Sequence, residues 1–200
     1  TLSSVSPSFN IQSSQTESQG TSMKIRGVGT TGNNAGLESS VGVFIDGVYQ
    51  SRPGIALGDL VDLERLEILR GPQGTLFGRN TSAGALNVTT KRPDLDEVEG
   101  FVNATYGNFD FINVQGGVSI PLVTDKAGFR ISGTYRQRDG LLNSATGAES
   151  LTRDRYMIRG QLLFEPSHDV TIRLLADYSK ANEECCDAVI VRELQRVAQF

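Results

Sequence analysis

Between Val98 and Ser179 the chain alternates apolar and polar positions with a period of two, as strands do when their faces meet different environments. In 111–120, Ile112, Val114, Val118 and Ile120 point one way and Asn113, Gln115 and Ser119 the other. In 127–138, Phe129, Ile131 and Tyr135 oppose Arg130, Ser132, Thr134, Arg136 and Arg138. In 153–164, Tyr156, Ile158, Leu162 and Phe164 oppose Arg153, Arg155, Arg159 and Gln161. In 170–179, Val170, Ile172, Leu174, Ala176 and Tyr178 oppose Thr171, Arg173, Asp177 and Ser179; the segment 98–106 carries the weakest alternation. Strands of about ten residues with this pattern have the length and period of tilted membrane-spanning strands. A soluble sandwich alternates as well, but it would leave these arginines facing water with nothing to meet, whereas a barrel gathers them in its lumen. The connections alternate too: 121–126 and 165–169 are tight, 139–152 and the stretch beyond Ala181 are long, and 107–110 is short. Tight turns on the periplasmic side and long loops outside predict a first strand that runs outward. Aromatics near strand ends, among them Tyr106, Phe111, Tyr135, Tyr156, Phe164 and Tyr178, suit an interfacial girdle.

Before Pro93 the pattern is shorter and mixed. Residues 1–22 are Ser/Gln-rich with one plausible strand at 9–13; 23–28, MKIRGV, reads as another strand; 29–36, GTTGNNAG, can bury nothing and reads as an exposed loop. Residues 41–49, VGVFIDGVY, predict a hairpin, because Asp46-Gly47 suits a two-residue type I′ turn. Asp59 is a candidate cap for a short helix through Leu63. The stretch 63–93 then gives a strand (66–70), a stop at Gly71-Pro72, one helical turn (73–77) ended by Gly78, a polar loop, and a second strand (85–91) closed by Arg92-Pro93. A small mixed sheet with short helices follows from this order.

Glu64-Arg65-Leu66-Glu67-Ile68-Leu69-Arg70-Gly71-Pro72, then Leu76-Phe77-Gly78, then Gly84-Ala85-Leu86-Asn87 resemble the plug signature of TonB-dependent outer-membrane receptors, and Ile25-Arg26-Gly27 resembles that family's I-R-G element. The resemblance implies an α+β plug domain over 1–93, followed over 94–200 by the first five antiparallel strands of an incomplete transmembrane β-barrel. It implies a receptor in the outer membrane of a Gram-negative bacterium that binds a scarce ligand, such as a ferric siderophore, and imports it with energy delivered through TonB. Glycan or cobalamin uptake, and a surface signalling or adhesion receptor on the same architecture, are the alternatives. Thr1-Leu2-Ser3-Ser4 has neither the basic start nor the apolar centre of a secretory leader, so an internal piece is expected, with the TonB-engaging segment (the TonB box) elsewhere.

Composition narrows the classes further. A net charge of −4 and 22 glycines in 200 residues speak against nucleic acid and favour strands and turns over bundles. No apolar run reaches the length of a membrane-spanning helix, which leaves a barrel open.

Nothing in the chain reads as catalytic, and no cofactor is expected. His168, the only histidine, reads as a solvated turn residue. The glycines at 27, 29, 32 and 36 follow a strand but open no helix, so a phosphate cradle is rejected. Cys185-Cys186 lack further Cys or His to complete a metal site and read as a disulfide, vicinal or to cysteines elsewhere. Arg26 and Arg70 stand in expected plug strands where an unpaired guanidinium is costly, so carboxylate partners are expected. The resemblance implies that such plug arginines, here with Glu67, lock the plug to acids of the barrel wall. It also implies ligand contact by plug loops, which here place Thr30, Thr31, Asn33 and Asn34, and Ser51, Arg52 and Pro53, toward the outside. Conversely, Asp59, Asp62, Glu64 and Glu67 are the plug acids that lumen-facing wall arginines are expected to meet.

Overall fold

The computed structural model describes residues 6–13, 21–30, 38–51, 54, 57, 60–143 and 149–184. Their first part is a pair of small sheets. A three-stranded sheet joins β1 (Phe9–Ser13), β2 (Thr21–Ile25) and β3 (Val28–Gly29). A four-stranded sheet has the order β5-β4-β7-β6, with β4 Val41–Ile45, β5 Val48–Tyr49, β6 Leu63–Arg70 and β7 Gly84–Thr90. It is mixed, because β4 runs parallel to β7 while β5 and β6 run antiparallel to their neighbours.

The two sheets share one apolar core. Phe9, Met23 and Ile25 of the first pack with Val41, Val43, Leu86 and Val88 of the second. The Asp46-Gly47 hairpin forms as expected, with φ of 49° and 81° at its central residues. The stretch 23–28 is not the single strand expected. Arg26 and Gly27 take φ of 53° and 80°, so the chain folds back through a second type I′ turn, and the I-R-G element is a turn rather than a strand. The helical turn α1 (Gly74–Phe77) ends at Gly78, whose φ is 77°. Leu63 opens β6 rather than closing a helix, and Asp59 lies outside the described residues.

The second part is a five-stranded antiparallel meander in the order β14-β13-β10-β9-β8. Its strands are β8 Glu99–Gly107, β9 Phe111–Val123, β10 Ala127–Arg138, β13 Arg153–Ser167 and β14 Val170–Ala181. A short hairpin of β11 (Leu142–Asn143) and β12 (Glu149–Ser150) occupies the long connection between β10 and β13. β8 and β14 are edges of an incomplete barrel wall.

The faces of this wall are inside out for a water-soluble sheet. Along β10, Arg130, Ser132 and Thr134 are buried while Ile131 and Tyr135 are exposed. Along β13, Arg155, Arg159 and Gln161 are buried while Ile158, Leu162 and Phe164 are exposed. Cross-strand register carries the bare apolar rows sideways: Val114 lies opposite Tyr135, and Ile158 opposite Tyr178. The first part of the chain packs on the polar face.

Candidate functional site

The polar side chains that join the two parts define the site, and they converge where β7 ends. After Thr90 the chain passes through Lys91 and Pro93 into β8, so three segments meet there: the end of β7, the Asp46 turn, and Asp62 just before β6. The Lys91 amide donates to the Asp62 carbonyl (2.9 Å), which sets Asp62 against the wall.

Arg130 of β10 reaches inward and grips Asp62 with two bonds, Nε to Oδ2 at 2.6 Å and Nη2 to Oδ1 at 2.7 Å. Its Nη1 donates to Glu99 of β8 (2.9 Å), whose other oxygen accepts from Lys91 Nζ (2.7 Å). Arg130 and Asp62 are 1% and 2% exposed, so this is a fully enclosed, bidentate, doubly countered ion pair. Glycine makes the approach possible: a Cβ on Gly117 would sit 3.3 Å from Asp62 Oδ2 and 3.0 Å from the Phe101 ring, and one on Gly128 would sit 2.6 Å from the Asp94 carbonyl.

Arg173 of β14 makes a second clasp. Its Nη1 donates to Asp46 Oδ1 (3.2 Å), and its Nη2 to Thr90 Oγ1 (2.9 Å) and Gln161 Oε1 (2.6 Å). Gln161 in turn donates to the Lys91 carbonyl (3.0 Å). Asp46 also accepts from the Thr90 amide (3.0 Å) and hydroxyl (2.7 Å), so its carboxylate ties the β4–β5 turn, β7 and the wall together. At the junction beyond, the Asp94 amide donates to Ser119 Oγ (2.6 Å). Asp94 Oδ1 accepts from the amides of Glu97 and Asp96, and these two bonds hold its carboxyl below the usual range.

The expectation that wall arginines meet plug acids is met by Asp62. Asp46 was expected only to make a turn. The inward-facing wall acid Glu99 and the pairing partner Arg173 carried no signal beyond their faces. Arg26 is exposed in its turn. Arg70 donates to Ser6 Oγ (3.1 Å), and Glu67 accepts from Asn87 (2.9 Å) and Arg65 (3.3 Å). Among the described residues neither Arg26, in its exposed turn, nor Arg70, at the exposed end of β6, forms an ion pair.

The other end of the four-stranded sheet carries the expected ligand loops. Thr30 spends its hydroxyl on the loop itself, donating to the Glu38 carbonyl (3.0 Å) and accepting from the Ser40 amide (2.9 Å). Ser51 is exposed. Thr31, Asn33, Asn34, Arg52, Pro53, Cys185 and Cys186 lie outside the described residues. Phe44 meets Phe77 (4.8 Å between centroids) and Tyr49 (5.6 Å) in tilted ring contacts, and Asn80 donates to the Tyr49 hydroxyl (2.9 Å).

Residues 1–85 match the model of the TonB-dependent Receptor Plug Domain. That part of the chain is a plug of the TonB-dependent receptor type. The pesticin receptor of Yersinia pestis is 28% identical to it over 158 residues, 78% of this chain and 23% of that protein. The ferrioxamine receptor of Yersinia enterocolitica is 28% identical over 125 residues, 59% of this chain and 16% of that one. Among solved structures, the ferric yersiniabactin uptake receptor FyuA of Yersinia pestis superposes with a TM-score of 0.81 at 23% identity, over 92% of this chain and 29% of that one. The pyoverdine receptor FpvA of Pseudomonas aeruginosa gives 0.66 at 19%, over 87% and 24%. At these identities the structures establish fold: a plug followed by antiparallel wall strands. The chain spans less than a quarter of the curated relatives' length.

Proposed function

We propose that this chain is the plug, to about Pro93, and the first five wall strands of an outer-membrane receptor of a Gram-negative bacterium. It binds a metal chelate of the ferric siderophore class outside the cell and admits it when TonB pulls on the plug. The observation that carries this reading is the clasp of Asp62 and Asp46 by Arg130 and Arg173. It seats a small globular unit on the wet face of a wall whose other face is apolar. A plug must stay shut under thermal motion and yet be remodelled by a directed pull; polar contacts of limited number, rather than a continuous apolar interface, suit both demands. The tight turns 124–126 and 168–169 lie at the Asp94 end, beside which the Asp125 amide donates to the Leu95 carbonyl (3.3 Å). By the usual arrangement of such barrels that end faces the periplasm, and Thr30 and Ser51 at the opposite end of the plug sheet then face the outside; Thr31, Asn33, Asn34 and Arg52 keep a proposed part in ligand contact.

The pesticin and ferrioxamine receptors supply the ligand class by similarity, and glycan or cobalamin uptake is the competing reading. Arg26, Arg70 and Glu67 keep a proposed part in locking the plug to wall acids outside this chain, and Cys185 with Cys186 in a disulfide. The test is uptake of radiolabelled iron chelates by cells that carry the full-length receptor, with and without TonB. Uptake that requires both is expected. Binding without TonB-dependent uptake would favour a signalling or adhesion role.

A further inference from the structure

The two contacts that seat the plug on the wall differ in what is left behind when they part. Among the described residues Arg130 is the only donor to the Asp62 carboxylate, through bonds of 2.6 and 2.7 Å, and the two side chains are 1% and 2% exposed. Drawing them apart strands a buried charge. The pair also stands beside the covalent link between plug and wall. The Lys91 amide donates to the Asp62 carbonyl, and Glu99, which opens β8, accepts from both Lys91 Nζ and Arg130 Nη1.

Arg173 and Asp46 are joined by a single bond of 3.2 Å and are 15% and 8% exposed. Each has company on its own side. Asp46 keeps the Thr90 amide (3.0 Å) and hydroxyl (2.7 Å), both within the plug. Arg173 keeps Gln161 Oε1, on the neighbouring wall strand, at 2.6 Å from Nη2 and 3.2 Å from Nε. Opening this contact also gives up the bonds from Arg173 to Thr90, yet it leaves neither charge without a partner. The chain itself is no tether here: Asp46 lies in the β4–β5 turn, 127 positions before Arg173, and β5 is a two-residue edge strand.

We propose that Asp62–Arg130 is a hinge and Asp46–Arg173 a latch. When the plug is pulled, the latch opens first, and the plug pivots at the Lys91–Glu99 junction, held to β8 and β10 while it parts from β14. Gln161, on β13 between the two, fits this division. Its amide donates to the Lys91 carbonyl (3.0 Å) on the hinge side, and its carbonyl oxygen receives the guanidinium that Asp46 lets go. This deepens the receptor reading and rests on it, since TonB supplies the pull.

The experiment uses the full-length receptor in two arms. The first needs no ligand: double-mutant cycles on the urea transition in vesicles, Asp62→Asn with Arg130→Gln and Asp46→Asn with Arg173→Gln. The hinge pair couples by roughly a hundredfold in the unfolding equilibrium and the latch pair by less than about tenfold. Equal or reversed couplings overturn the inference. Where a single variant fails to assemble, the second arm decides. It uses the pairs Asp46→Cys/Arg173→Cys and Asp62→Cys/Arg130→Cys, each with Cys185→Ser and Cys186→Ser, bridged by a thiol reagent that dithiothreitol cleaves. Cells are given radiolabelled ferrioxamine and ferric yersiniabactin. Bridging 46 to 173 stops TonB-dependent uptake and cleavage restores it, whereas bridging 62 to 130 leaves most of it. A 62–130 bridge that blocks as fully, or a 46–173 bridge that blocks nothing, overturns the inference and leaves the receptor reading intact. Uptake of neither chelate by the unaltered receptor counts against the receptor reading and not against the latch, which the urea cycles then decide.

Discussion

In the plug, Met23, Val41, Leu86 and Val88 are shut away and the charges lie outside, whereas on β10 and β13 it is Arg130, Arg155 and Arg159 that are shut away while Ile131, Ile158 and Phe164 stand bare. One chain thus follows two opposite burial rules, and the switch falls at the Pro93 junction. The difference shows that a period of two marks only a two-sided strand. Which side is covered depends on what each side touches. Where the two regions meet, the inversion lets a unit with a charged outside sit against a wall with a charged inside, and the cost of burying those charges is met by pairing them.

The largest effect expected from breaking this arrangement is at Arg130. Arg130→Ala leaves Asp62 enclosed without its partner and costs about 3–5 kcal/mol. The measure is the urea midpoint of the full-length receptor in vesicles. Arg79→Ala, which removes an exposed ion pair with Glu38, changes it by less than about 1 kcal/mol. Next come apolar positions chosen to separate the two rules. Leu86→Ala in the plug core costs about 2–5 kcal/mol. Ile131→Lys on the wall costs about 2–4 kcal/mol in a bilayer, whereas Val48→Lys, also bare but on the plug, costs little. Equal penalties at Ile131 and Val48 would erase the distinction.

Smaller effects sharpen the seam. A Cβ on Gly117 meets Phe101, Ser132 and Asp62, while one on Gly160 meets nothing, so Gly117→Ala destabilises by about 1–3 kcal/mol and Gly160→Ala by far less. The smallest concerns Asp94, whose carboxyl is held below its ordinary value by the Glu97 and Asp96 amides. Its contribution is present above the unfolded-state value and is lost as pH falls through the lowered one. Asp94→Asn should therefore lower the neutral plateau slightly and leave the acid end unchanged, which flattens the acid limb of the stability profile.

Much of this design was legible in the residues. Strand 127–138 was found to the residue, and the Asp46-Gly47 hairpin, the stop at Gly71-Pro72 and the helical turn ending at Gly78 followed from local backbone chemistry. The Arg26-Gly27 turn was missed because an arginine at positive φ is uncommon and the flanking alternation continued through it. The seam was legible only as a class. Wall arginines were expected to find plug acids, and Asp62 was among the four candidates. The pairing of Arg173 with Asp46 joins residues 127 positions apart and leaves no local trace. Arg70 shows the limit of such reasoning: its strand looked apolar enough to demand a carboxylate, and among the described residues its guanidinium, at the exposed end of β6, meets the Ser6 hydroxyl.

The central claim is tested most directly by placing single cysteines at 131 through 135 of the full-length receptor in outer-membrane vesicles. Each carries a fluorophore challenged with a lipid-borne quencher. The account predicts strong quenching at 131, 133 and 135 and weak quenching at 132 and 134. Quenching that is uniform along the strand, or strongest at 132 and 134, would contradict it.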